Sequence, residues 1–233
     1  MKKIVIILFL ISLTFNYCWA VLDDVGAKWD AAEVLRRQHK LEEAEEILKE
    51  VIKANPDFSP AYVSLAHIRY IQTDFEGSAR LIVKVMQQGK DRAGLNNYVE
   101  ALTLYAAAKG TIANFGGPLS KIVNGNTAKR SVKEAERLLP SAPVVMYALG
   151  NYYLMAPPIA GGDLKKAEEY LNKTIEADPL FVDAYVRLAQ FHKLKGDKDK
   201  FDFYLDKALG IDPQSELALD IKSGSCKFIC LGN

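Results

Sequence analysis

Apolar and small residues recur along this chain at helical spacing, in blocks that each stop at a proline. From Leu41 to Ile52, one stripe carries Leu41, Ala44, Ile47, Leu48, Val51 and Ile52, while Glu42, Glu43, Glu45, Glu46, Lys49 and Lys53 fill the other face. Between Leu164 and Ala177, Leu164, Ala167, Tyr170, Leu171, Thr174 and Ile175 do the same. Proline removes a backbone donor and biases the residue before it away from helical angles, so Pro56, Pro140, Pro179 and Pro213 read as stops. Strand-like alternation is nowhere sustained. The pattern predicts an all-α chain.

The stops are periodic. Pro56, Pro140, Pro179 and Pro213 follow Ala44, Ala128, Ala167 and Phe201 by twelve residues each, and Pro179 and Pro213 lie 34 apart. A fixed period of this length marks an array of helical hairpins. Pro140 to Pro179 spans 39 residues, and the surplus falls at Met155 to Gly162, which reads as a stretched hairpin loop. Pro56 to Pro140 spans 84, two periods plus sixteen, which fits a lone extra helix over 93–108 with Leu95, Tyr98, Val99, Leu102 and Tyr105 as its buried stripe. The expected units are then 25–58, 59–92, 109–142, 143–181 and 182–215. The second lacks a terminal proline, and the third is interrupted by Gly116-Gly117-Pro118. Residues 216–233 read as a C-terminal tail.

The motifs resemble the tetratricopeptide repeats. Met146-x2-Leu149-Gly150-x2-Tyr153 resembles their first helix, as do Tyr62-x2-Leu65-Ala66 and Tyr185-x2-Leu188-Ala189. Ala44, Leu48 and Pro56, then Ala167, Leu171 and Pro179, then Leu205, Ala208 and Pro213 resemble the second. Gly150, Ala66 and Ala189 sit where a neighbouring helix must approach closely and a larger side chain would overpack. The resemblance covers roughly residues 25–215, strongest in the outer units, and implies a right-handed superhelix of antiparallel helix pairs.

Residues 1–20 carry a basic start at Lys2 and Lys3, an apolar run from Ile4 to Phe15 and a small residue at Ala20, the pattern of a secretory signal peptide. The expected location is the periplasm or outside the cell, with no membrane span once the segment is cut. Removing Lys2 and Lys3 leaves 28 basic against 29 acidic residues, which gives no electrostatic case for binding nucleic acid.

No catalytic constellation emerges, and neither a cofactor nor a metal is implied. His39, His67 and His192 are scattered, and no nucleophile elbow or phosphate-binding loop is present. Cys226 and Cys230 are the cysteines left after cleavage; in an oxidising compartment they suggest a small-loop disulfide, with two free thiols or half of a metal site as alternatives.

The resemblance implies that the open side of the first helices lines a concave groove. Counted from the packing residues, that face holds Trp29, Glu33, Arg36 and Arg37, then Val63, His67 and Tyr70, then Tyr147, Asn151 and Leu154, then Val186, Gln190 and Lys193. Aromatic and arginine side chains suit partner binding, although Trp29 and Tyr147 have filling of inter-helix space as an alternative role. Repeat proteins that grip acidic chaperone tails align Lys, Asn and Arg in this groove; Trp29, Val63, Tyr147 and Val186 stand there instead.

The expected function is therefore an exported, non-enzymatic protein that holds a protein or peptide partner. A second resemblance is carried by Ala156-Pro157-Pro158-Ile159-Ala160-Gly161-Gly162-Asp163 with Ala167, and by Leu188 to His192 with Asp197 to Phe201. These runs look like the T-component proteins of periplasmic TRAP solute transporters, which implies a solenoid that partners a solute-binding protein and passes an apolar or anionic ligand. Asp163 also has a sufficient role as a helix N-cap. An envelope assembly scaffold is the third reading.

Overall fold

The computed structural model describes residues 24–228 and residue 231. The expected signal peptide and Cys230 lie outside the described residues. Helix α1 covers residues 24–37, followed by α2 (Leu41–Ala54), α3 (Ser59–Ile71), α4 (Phe75–Ala93), α5 (Leu95–Phe115) and α6 (Pro118–Leu138). The chain continues through α7 (Pro143–Met155), α8 (Leu164–Ala177), α9 (Val182–Leu194), α10 (Lys198–Ile211) and α11 (Glu216–Ser223). The described residues contain no strand.

Helices α3, α5, α7 and α9 each pack on the helix that follows, and they also touch one another in sequence along the array. Each predicted stripe supplies the contact. Ala44, Leu48 and Val51 of α2 are fully buried, as are Ala167 and Leu171 of α8. Short polar side chains start the outer helices. Asp74 accepts from the Gly77 N–H, Asp163 from those of Lys165 and Lys166, and Asp197 from that of Lys200. Each such cap contributes about 1 kcal/mol by satisfying donors that the helix leaves open.

Gly150 is a close-approach point: a Cβ there would lie 2.8 Å from Leu171 Cγ and 3.2 Å from the Leu171 amide nitrogen. In the stretched loop, Gly161 has φ of 101°, and the Tyr152 hydroxyl donates to the Ala160 carbonyl at 2.5 Å.

The middle of the array corrects the sequence reading. No lone helix occupies 93–108, and Gly116-Gly117-Pro118 does not interrupt a unit over 109–142. Those three residues turn the chain between α5 and α6, with Gly116 and Gly117 extended and Pro118 opening the next helix. Most of the surplus is absorbed by one long hairpin, whose helices have 21 residues each where α7 and α8 have 13 and 14, and part by α4, which has 19. Length counted between prolines could not tell an inserted helix from two extended ones. In the second unit Gly89, with φ of 73°, breaks the path of α4 and does the work of the missing proline.

The segment read as a tail is structured at its start. Helix α11 packs on α9 and α10. After it, the buried Asp220 carboxylate accepts from the Ser225 hydroxyl at 2.5 Å and from the backbone N–H groups of Lys227 and Phe228 at 2.8 and 3.2 Å. This turn delivers Phe228, only 3 % exposed, onto Tyr70 of α3 and Phe75 of α4, with ring centroids 5.8 and 6.3 Å away. On another side of the array His39, in the turn after α1, reaches Asp212 and Glu216 at 3.1 Å each. The two ends of the stack therefore meet.

Candidate functional site

The inner sides of α3, α5, α7 and α9, with the turn after α1 and the α10–α11 junction, surround a cavity of about 670 Å³. Six residues expected in the groove line it: Arg36, Arg37, His67, Tyr70, Tyr147 and Asn151. Most are already engaged. Arg36 forks onto Glu33, with Nη2 2.8 Å from a carboxylate oxygen. Burial pushes the Glu33 carboxyl up, but the Arg36 guanidinium outweighs it and holds the group below its ordinary value. His67 Nε2 lies 3.1 Å from Glu100, and the Tyr70 hydroxyl lies 3.1 Å from Thr111 Oγ1. Tyr147 packs its ring 4.9 Å from that of Phe181. Asn151 Oδ1 is buried without a hydrogen-bond partner.

The other expected groove residues lie elsewhere. Trp29 packs against the first hairpin's core, edge-on to Phe58, and donates Nε1–H to Ser64 Oγ at 2.9 Å. It fills inter-helix space. Val63, Leu154, Val186 and Gln190 are buried, and Val63 and Val186 belong to the apolar core. Lys193 is exposed and sits over the Phe201 ring on α10. In α7 the cavity takes Val144, Tyr147, Ala148 and Asn151, but in α9 it takes Asp183 and Arg187. The hairpins rotate as they stack, so a groove face extrapolated at one fixed repeat position drifts off target within a few units.

Sequence reasoning missed Asp183, Arg187, His39 and Phe228. The first two carried a faint signal, an acid and a base four apart on one helix face. Asp183 is pushed up by burial, and the Arg187 charge only partly opposes this. Burial likewise raises the Tyr147 hydroxyl, with Asp183 adding to the effect and Arg187 opposing it. These three side chains therefore share one electrostatic environment.

Cys226 is disulfide-bonded. The expected partner, Cys230, lies outside the described residues. Among the described residues no group of His, Cys, Asp and Glu could hold a metal ion, and no helix is long and apolar enough to cross a membrane. A separate apolar surface marks the end of the long hairpin, where Phe115, Leu119, Ile122 and Val123 are exposed.

Helices α9 and α10 with their loops, residues 182–215, match the family model of the tetratricopeptide repeat. The chain has the solenoid fold of tetratricopeptide repeat proteins. It is similar in fold to a thermophilic tetratricopeptide repeat protein from Thermus thermophilus, with a TM-score of 0.67 at 17% identity over 86% of this chain and 97% of that one. Looser likenesses include a MamA fragment from Desulfovibrio magneticus (TM-score 0.46, 17% identity, 82% of this chain and 96% of that one). They also include YrrB, described as a tetratricopeptide repeat protein with an unusual peptide-binding site (TM-score 0.42, 19% identity, 84% and 90%). No curated protein matches the sequence.

Proposed function

We propose that this solenoid is an exported, non-enzymatic binding protein that holds a segment of a protein partner against its inner wall. The observation that supports the reading is the convergence of four first helices on one cavity, where arginine, tyrosine and asparagine side chains stand among apolar ones. Aromatic and arginine anchors in a concave site commonly dominate recognition. Export rests on the basic start, apolar run and Ala20 of the leading segment.

Affinity capture from the native envelope tests this, with wild type beside Tyr147→Ala. The expected result is a partner retained by wild type and depleted by the variant at equal helical content. Recovery of a transporter's solute-binding protein would specify the transport-associated reading. Recovery of envelope assembly proteins would specify a scaffold. A partner captured equally by both forms would place binding outside the cavity, with the exposed Leu119 and Ile122 face as the next surface to alter.

A further inference from the structure

Arg187 is the least explained side chain in the molecule. It is 1 % exposed, the largest fully buried side chain among the described residues. Its Nη1 donates to Gln190 Oε1 at 2.5 Å and its charge acts on the Tyr147 hydroxyl and the Asp183 carboxyl, but its Nε has no hydrogen-bond partner, and no carboxylate among the described residues lies within ion-pair distance. A guanidinium cannot shed its proton to escape burial. A buried charge with no carboxylate at ion-pair distance is unfavourable, so a position like this calls for a counter-anion. The side chain lines the 670 Å³ cavity, a size that suits a small molecule.

The surroundings narrow the kind of anion. The other basic side chains at the cavity wall are occupied, Arg36 by Glu33, His39 by Asp212 and Glu216, and His67 by Glu100, while Arg37 is exposed to solvent. Asp183 also lines the cavity, and burial shifts it toward its protonated form, in which it donates a hydrogen bond instead of competing as an anion. With Asp212 and Glu216 at the wall, a dianion such as phosphate meets repulsion that a single charge largely avoids. Leu104, Ala107, Val144 and Ala148 make the rest of the wall apolar.

We propose that the cavity binds a small organic monocarboxylate with a compact apolar body, its carboxylate on the Arg187 guanidinium. A planar fork of N–H donors matches a carboxylate better than any other common anion of single charge. This goes beyond the partner-binding reading, because it concerns a free small molecule and is measured on the protein alone.

The test is calorimetric titration of the full mature chain with phenylacetate and octanoate. Phenylacetamide and octanamide serve as uncharged matches, and inorganic phosphate as a charge without an apolar body. Native mass spectrometry beforehand shows whether the purified protein already carries an acid, which would support the assignment. The acids should bind, the amides roughly thirty-fold more weakly or not at all, and phosphate not detectably. Arg187→Met should abolish binding and, because it removes an unpaired charge, should leave the melting temperature unchanged or higher. Ala148→Leu, which fills the cavity and leaves the charge in place, should also block the acids. Equal binding of acid and amide overturns the proposal, as does a lack of response to any acid by protein that carries none. So does tighter binding of a peptide with a free C-terminus, which would give the cavity to the partner.

Discussion

His39 and Asp212 lie 173 positions apart in sequence, yet the imidazole Nε2 stands 3.1 Å from the Asp212 carboxylate. Glu216 takes the other ring nitrogen, so one histidine in the first hairpin's turn is clasped by both sides of the α10–α11 junction. Burial works against its charge, but Glu216 and Asp212 outweigh burial and raise the group above its ordinary value.

That clasp makes stability depend on pH in a known direction. A raised folded-state value means the contribution is complete below the ordinary histidine range and vanishes as pH rises through the folded value. The gap in melting temperature between wild type and His39→Gln should therefore be wide at about pH 5.5 and close to zero at about pH 9. A gap that does not change with pH would mean that the contact is not ionic.

Two acidic residues with the same spacing to a lysine should behave differently. Glu45 is 8 % exposed and bridges Lys49 on its own helix and Arg69 on α3. Glu169 pairs only with Lys173, at the surface. Glu45→Lys breaks a cross-helix link and should lower stability by about 2 kcal/mol, whereas Glu169→Lys should leave thermal unfolding unchanged. Denaturant melts of both variants decide the point.

Gly150→Leu should be among the more damaging single changes in α7. The added side chain meets Leu171 backbone and side chain at once, and neither can withdraw cheaply from a fully packed interface. The expected loss is roughly 1–3 kcal/mol, against none for Lys165→Leu on the exposed side of α8. Equal melting temperatures for the two would show that the interface yields.

Phe228→Ala should release the segment that follows α11. The ring packs against the Tyr70–Phe75 pair, and its truncation should lower stability by about 3 kcal/mol. Limited proteolysis should then cut near Ser225 in the variant and leave wild type intact.

The helices and their stops were legible because each face follows the helical period and every unit but the second ends at a proline. The middle was not, since extra turns added to α5 and α6 leave the same stripes and change only the count between stops. The inner wall was half legible. Tyr147 and Asn151 were read from the motif in α7, but the same rule pointed to Val186 and Gln190 in α9, where Asp183 and Arg187 line the cavity. Sequence gives the period of a helix and not the rotation between hairpins. The cross-helix role of Glu45 was hidden for a related reason, because an i, i+4 pair looks the same whether or not a third residue arrives from another helix.

The meeting of the first and last hairpins bears on how the molecule comes apart. A linear stack sheds its terminal units one at a time, since each unit leans only on its neighbour. Here the first hairpin cannot peel away without breaking contacts to positions 173 and 177 residues distant. The same contacts raise contact order, and closing so large a loop is paid in chain entropy before it is rewarded. Folding should be slower than in an open array of equal length, and amide exchange in α1 and α11 should follow global opening in place of end fraying.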